Sequence, residues 1–473
     1  MVFNSYSFLV FFAVNVALFL LPLPWTIKKI NLLVASYLFY AAWNPPFVLL
    51  LMLSAVVDYW LARWIGASEN EGFRKCLLLG SLIMNLGLLA LFKYGRFIVE
   101  NFNGVLGFCG VEEQAPLPDL ILPLGISFYT FETVSYLIDV YRRRLQPSRS
   151  FLDYALFLTF FPHLVAGPIV RAEDFLPQCA IPRRPTWSQF GWGASLMLLG
   201  MFQKIILADL VLAGAADRVY VVNAPVATSD AWFGTLAFAG QIFFDFAGYS
   251  TCGIGAALCL GFALKTNFKF PYGAIGFSDF WRRWHISLSS WLRDYLYIPM
   301  GGSRGAQAAV CRNLMATMLL GGLWHGADWK FVAWGGLHGG YLLGERGLRH
   351  YFGHWKILEW PLVRGLLILA TFVLVLFTWV YFRADNFASA NRILASMFGW
   401  TTATESVLGS ARKIGIGAVL LGLVLVHTLM RDKSLEDVAA KIPWYAVAGF
   451  GAILAMIIIL FPGEERAFIY FQF

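Results

Sequence analysis

Trp324-His325-Gly326 closes an apolar run, Leu314 to Leu323, with an imidazole. A second histidine, His285, ends the segment Phe280-Trp281-Arg282-Arg283-Trp284-His285. Ionisable side chains at membrane depth are costly, so each one marks a functional site by default. Imidazole titrates near neutral pH and can take up or release a proton. A general base needs hydrogen-bond reach to a hydroxyl and a pKa near ambient pH. His325 is the first candidate for that role, and Gly326 beside it permits close approach of a substrate to the backbone. Two such histidines in a strongly apolar chain point to proton-transfer catalysis inside a bilayer.

The other histidines read more blandly. His163 lies between Pro162 and Pro168 and has a structural role. His338 stands thirteen residues after His325, about four turns up one helix if that helix is continuous. His350, His354 and His427 read as surface residues. Helical zinc sites favour i, i+4 pairs, and none occurs among His163, His285, His325 and His338, so no metal is expected. No GxSxG elbow, P-loop or GxGxxG loop is present. Gln241, Asp245, Tyr249 and Ser250 share one apolar run. An acid at that depth lines a cavity or pairs with a base, and an arginine of 282–293 is the expected partner for Asp245.

These residues need a scaffold, and composition says which kind. Of 473 residues, 59% are hydrophobic and 14% charged. Soluble domains carry about 25% charge. The chain is therefore expected to be an all-α polytopic membrane protein, a single integral-membrane domain over residues 1–473. A net charge of +8 fits basic residues in cytoplasmic loops against anionic lipid headgroups. No basic stripe with interleaved aromatics forms a separate module, so nucleic acid is not an expected partner. The six cysteines are scattered without a CxxC pair and read as small hydrophobes.

Apolar runs recur at 7–24, 30–44, 46–63, 76–93, 119–138, 151–170, 188–213, 231–262, 312–324, 330–345, 362–382, 413–430 and 443–461. About eleven of them are expected to span. The runs 151–170 and 312–324 are short enough to be re-entrant. No basic residue precedes the first run and Lys28-Lys29 follow it, so it is an uncleaved helix with its N-terminus outside. Arg63, Arg74, Lys75 and Arg142-Arg143-Arg144 then fall inside, and Glu112-Glu113 outside. Residues 263–312 carry seven Lys or Arg, including Arg282, Arg293 and Arg304, and read as cytoplasmic. Within them Phe277, Phe280, Trp281, Trp284, Leu288, Trp291 and Tyr295 make one stripe of an amphipathic helix at the membrane surface. His285 would sit at headgroup level on that helix.

Several longer motifs carry a resemblance. They are Leu122-Pro123-Leu124-Gly125-Ile126-Ser127-Phe128-Tyr129-Thr130-Phe131, His163-Leu164-Val165-Ala166-Gly167-Pro168-Ile169 and Phe244-Asp245-Phe246-Ala247-Gly248-Tyr249-Ser250. Asp279 to Ser289, Trp291-Leu292-Arg293-Asp294-Tyr295, Trp324-His325-Gly326 and Phe468-Ile469-Tyr470-Phe471 follow in order. The chain resembles the membrane-bound O-acyltransferase (MBOAT) family, in its bacterial alginate O-acetylase membrane-subunit branch. It is also similar to the D-alanyl transfer protein of teichoic-acid synthesis. That branch often has an acid after Tyr249-Ser250, where Thr251 and Cys252 stand here.

The resemblance implies a ring of tilted helices, with re-entrant and interfacial helices, around a central tunnel. It implies that His325 is the catalytic histidine and His285 the second one. Trp324, Gly326, Asp245, Tyr249 and Trp281 would then line the tunnel, and Arg282, Arg293 and Arg304 would rim the donor entrance. It implies no bound cofactor, with acetyl-CoA or an acyl carrier protein thioester as the donor. The acyl group would cross the inner membrane of a bacterium to an extracytoplasmic polysaccharide such as alginate or cellulose, through a periplasmic SGNH-type acetyltransferase partner. D-alanyl transfer and peptidoglycan O-acetylation are the alternatives within the class. A transporter or flippase of lipid-linked sugars is the alternative outside it, but the paired broken helices of such folds are not evident.

Overall fold

The computed structural model describes residues 3–165, 167–402, 406–463 and 466–471. Ala166 of the 163–169 motif lies outside them. The described residues form helices and connecting loops, with no strand among them. Among the described residues, six helices are long and apolar enough to cross a membrane: Pro46–Ala67, Glu71–Phe108, Trp187–Tyr220, Thr228–Cys259, Pro361–Arg383 and Ser410–Leu429. Two shorter apolar helices, Tyr6–Leu20 and Trp444–Leu460, match the first and last expected runs. Large apolar side chains on these helices stand in the open, among them Leu49, Ile83, Leu362 and Ile459. Such faces suit hydrocarbon rather than water.

Several of the other expected runs have different bounds in the structure, 30–44 lying mostly in helix Trp25–Ala41. The run 119–138 becomes helical only at Ile126, and 151–170 breaks into Phe151–Thr159 and Phe161–Leu164. Residues 312–324 and 330–345 belong to two helices, Gln307–His325 and Trp329–Phe352, that fold against each other.

The chain divides into two compact units, and α-helical packing organises each. The first holds Met1–Ala194 and Gly253–Lys265. Its centre carries a buried polar knot. Asp58 accepts hydrogen bonds from Ser81 Oγ at 2.8 Å and Asn85 Nδ2 at 3.0 Å, which ties helix Pro46–Ala67 to helix Glu71–Leu89. Buried polar side chains of this kind join helices where no water is available. His163 lies in the same unit, fully buried, with Nε2 3.0 Å from the Phe157 carbonyl. Glu132 stands 3.7 Å from it and accepts from Val170 N at 2.9 Å. These contacts fit the structural role expected for His163.

The second unit holds Ser195–Cys252 and Thr266–Phe473. Its central feature is the hairpin of Gln307–His325 and Trp329–Phe352. Glycines let the two helices touch backbone to backbone: a Cβ on Gly322 would strike the Phe331 carbonyl, and one on Gly335 the Met318 carbonyl. Asp328 caps the second helix by accepting from Lys330 N at 2.9 Å. The far ends are joined by Arg346 Nη2 and Gln307 Oε1 at 3.4 Å. His325 is the last residue of the first helix, so the hairpin carries it at its tip.

Candidate active site

The break at Gly326 removes one expectation and explains another. His338 is not up the same helix from His325, because the chain turns at Gly326 to Asp328 before its helix begins. It returns to the site from the second arm of the hairpin, with Trp334 between the two rings. The His325 and Trp334 rings are 4.9 Å apart, and the Trp334 and His338 rings 4.7 Å. Thr378 Oγ1 and His338 Nε2 lie 3.1 Å apart.

Gly326 has an extended backbone, so its need for glycine is one of space and not of strain. A Cβ there would collide with the Phe331 ring. The close approach expected of a substrate is made by the protein's own phenylalanine.

His325 is 3% exposed and enclosed by aromatic rings. Trp324, Phe382 and Tyr470 stand 5.1, 5.3 and 5.5 Å from it, centroid to centroid. His285 reaches the same cluster: its ring lies 5.9 Å from Trp324 and 4.6 Å from Phe246. Phe246 in turn lies 4.6 Å from Tyr470. Sequence positions 246, 285, 325, 382 and 470 thus meet around one spot.

The surface helix expected over 277–296 is not continuous. Helix Phe277–Trp281 ends, His285 takes a left-handed conformation with φ 43°, and a new helix runs Ile286–Leu292. Residues 267–269 explain the break: Asn267 O accepts from Ile286 N, and Lys269 N donates to Arg283 O, each at 2.9 Å. Those bonds hold 283–286 out of helical geometry. Phe280, Trp284 and Leu288 are at most 1% exposed, so this stripe faces protein and not lipid. His285 is therefore not at headgroup level. It is fully buried, its Nδ1 is 3.3 Å from Asn267 Oδ1, and burial pushes its imidazole down to about 3.

Trp281 is half-buried beside the cluster, 5.7 Å from Trp334 and 5.1 Å from His338. Tyr249 is buried with its ring 5.0 Å from Phe468. Asp245 pairs with Lys204 at 2.5 Å, not with an arginine of 282–293, and accepts from Ile469 N at 2.7 Å. Lys204 also donates to Asp209 Oδ1 at 3.0 Å. A π-helical stretch, Gln203–Ala213, makes that second contact possible. Its i→i+5 bonding brings residues five apart onto one face, and such widened turns recur at functional sites. An intramembrane lysine was the available sequence signal for Lys204.

Arg282, Arg293 and Arg304 are exposed, and Arg293 pairs with its neighbour Asp294. Arg283 is different: it is buried against Asp279 at 3.0 Å and donates to the Arg431 carbonyl at 2.5 Å. His427, expected at the surface, is 2% exposed and accepts from Tyr272 N at 3.1 Å through Nδ1. His350 and His354 are exposed. No group of three or more His, Cys, Asp or Glu able to hold a metal occurs among the described residues.

The MBOAT, membrane-bound O-acyltransferase family, model matches residues 142–389. The chain is 42% identical over 432 residues to a probable alginate O-acetylase AlgI of Azotobacter vinelandii, covering 90% of this chain and 84% of that one. It is 34% identical to a peptidoglycan O-acetyltransferase of Helicobacter pylori, covering 93% and 84%. A teichoic acid D-alanyltransferase of Bacillus subtilis is 28% identical over 57% of this chain and 67% of its own. The matched span includes His163, His285, His325 and the hairpin that carries His325. This chain belongs to the membrane-bound O-acyltransferase family and is a multi-pass membrane acyltransferase.

Proposed function

We propose that this protein is an O-acetyltransferase of the bacterial inner membrane that serves acetylation of an extracytoplasmic polysaccharide, with alginate as the first candidate. The enclosure of His325 at the hairpin tip, with His285 reaching it through Trp324, carries this reading. The names and coverage of the relatives supply the chemistry. Peptidoglycan O-acetylation is the second reading, favoured by the Helicobacter pylori relative. D-alanyl transfer rests on a more distant and partial match.

In this mechanism His325 accepts the proton of an acceptor hydroxyl as the oxygen attacks the donor thioester. The new C–O bond forms, the C–S bond breaks, and the proton passes to the departing thiolate. Aromatic walls keep water from competing for the acyl group. The donor is acetyl-CoA or an acyl carrier protein thioester, entering from the cytoplasm past Arg282, Arg293 and Arg304. A periplasmic SGNH-type acetyltransferase passes the group to the polymer.

The test is the O-acetyl content of exopolysaccharide and peptidoglycan, by mass spectrometry, from cells with and without this gene. Loss from exopolysaccharide alone is expected. Unchanged acetylation of both polymers overturns the proposal.

A further inference from the structure

His285 is the junction between two short helices, and one residue from outside the junction grips it. Asn267 is 1% exposed. Its backbone carbonyl accepts from Ile286 N at 2.9 Å. Its side-chain Oδ1 accepts from Ser287 Oγ at 2.9 Å and from Ser287 N at 3.2 Å, and lies 3.3 Å from His285 Nδ1. Residues 285, 286 and 287 are thus fastened to one asparagine. His285 itself is held in the left-handed region, at φ 43°. That conformation is strained for a residue with a Cβ. It persists where the surroundings over-determine it, above all at functional sites.

These bonds decide more than backbone shape. An asparagine amide has an oxygen at one corner and an NH2 at the other, and their partners tell the two apart. Ser287 N can only donate, so the corner it meets is the oxygen. That oxygen can only accept, so the His285 nitrogen facing it carries a hydrogen. His285 is fully buried, and burial disfavours the charged ring, which leaves one hydrogen for its two nitrogens. With that hydrogen on Nδ1, Nε2 holds a lone pair. Ser287 Oγ stands 3.5 Å from the same Nδ1, and having donated to Asn267 it turns its own lone pairs to the ring. Both neighbours favour one tautomer. Nε2 is buried with no hydrogen-bond partner among the described residues, so no acceptor there draws the hydrogen across.

A helix cap alone would ask for less. Helix Ile286–Leu292 begins without a capping bond from the His285 side chain, and the Asn267 oxygen fills that place at Ser287 N. That bond needs no particular tautomer of the ring. The approach of Nδ1 to the same oxygen is the additional contact.

We propose that Asn267 is a positioning residue of the acyl-transfer site: it holds the His285 hydrogen on Nδ1, so that this ring enters the reaction as a hydrogen-bond acceptor and not as a donor. The inference rests on the acyl-transfer reading above and defines what its second histidine can do. Such a ring cannot supply a hydrogen bond to the oxygen of a thioester carbonyl, and that task falls to other groups. Nε2 is enclosed in this structure; the tautomer is set from the Asn267 side before any substrate reaches the ring.

The test uses full-length protein in detergent with isotope-labelled histidine, followed by NMR. The His285 signals are those that vanish in His285→Asn. Ring carbon and nitrogen shifts distinguish the two neutral tautomers. Wild type should show the Nδ1–H form alone. An Nε2–H ring, or a mixture of the two, overturns the proposal whatever the variants do. Asn267→Leu should lose the preference for Nδ1–H. Its O-acetylation of polymer in a complemented deletion strain, normalised to detergent-extracted yield, should fall roughly tenfold or more. Loss of the partner that holds a tautomer costs up to about 10⁴-fold in a histidine triad. Asn267→Asp keeps an acceptor oxygen at Nδ1 and should restore both the tautomer and the larger part of the rate. An asparagine that only caps the helix would leave the tautomer unmoved in Asn267→Leu, and that result overturns the proposal. Acetylation at the wild-type level in a variant whose tautomer has shifted also overturns it. Absence of polymer acetylation with wild type instead refutes the O-acetyltransferase reading, and the wild-type spectrum still decides the tautomer.

Discussion

The His285 imidazole and the Trp324 indole stand 5.9 Å apart, and Trp324 is the residue next to His325. One indole therefore serves both histidines. His285 is held from below by Asn267 and His325 by the end of its helix, so their separation is set by two independent elements.

His325→Ala should remove acyl transfer while the protein remains inserted and folded. Loss of a proton-transfer group costs about 10²–10⁴-fold in rate. Polymer acetylation in a complemented deletion strain measures it, with detergent-extracted yield as the folding control. Normal acetylation would take His325 out of the mechanism.

His285 gives a pH signature. Its imidazole is pushed from 6.5 down to about 3 by burial among Phe246, Phe268 and Trp324. The unfolded chain takes up this proton below about pH 6.5 and the folded chain does not. The contribution to stability is thus complete above 6.5 and is lost as pH falls from there toward 3, by at most about 1.4 kcal/mol per pH unit. His285→Asn should flatten the fall in thermal stability between pH 6.5 and 5 relative to wild type. Parallel curves for the two proteins would contradict the buried neutral state.

Gly326→Ala should fold poorly because its methyl meets the Phe331 ring. Overpacking of this kind costs about 1–3 kcal/mol. The double variant Gly326→Ala with Phe331→Leu should recover a good part of the loss. Thermal unfolding in detergent decides it, and failure of the second change to help would mean that Gly326 serves something other than Phe331.

The exposed arginines separate steering from topology. Arg282→Glu and Arg304→Glu should raise the apparent donor requirement more at low salt than at high salt, since screening acts over about 8 Å at physiological ionic strength. Donor-concentration curves at two salt levels are the measurement. If insertion is intact and the curves coincide, these residues only orient the chain in the membrane.

Composition and run length established the fold class, because a chain this apolar can satisfy its backbone only as helices in a bilayer. Trp324-His325-Gly326 was legible as a site because an imidazole at the end of an apolar run has no cheap structural reason. The sequence could not show that Phe246, His285, Phe382 and Tyr470 meet His325. They lie up to 224 positions apart, between Phe246 and Tyr470, and only tertiary packing chooses such pairs. The 277–296 stripe misled for a related reason: helical periodicity marks one buried face but does not say whether lipid or protein covers it. Here residues 267–269 claimed the backbone of 283–286, broke the helix, and turned its aromatic face inward. Asp245 was recognisable as an acid needing a partner. Which base would answer depended on a π-helical stretch that places Lys204, and hydrophobic periodicity carries no mark of that widening.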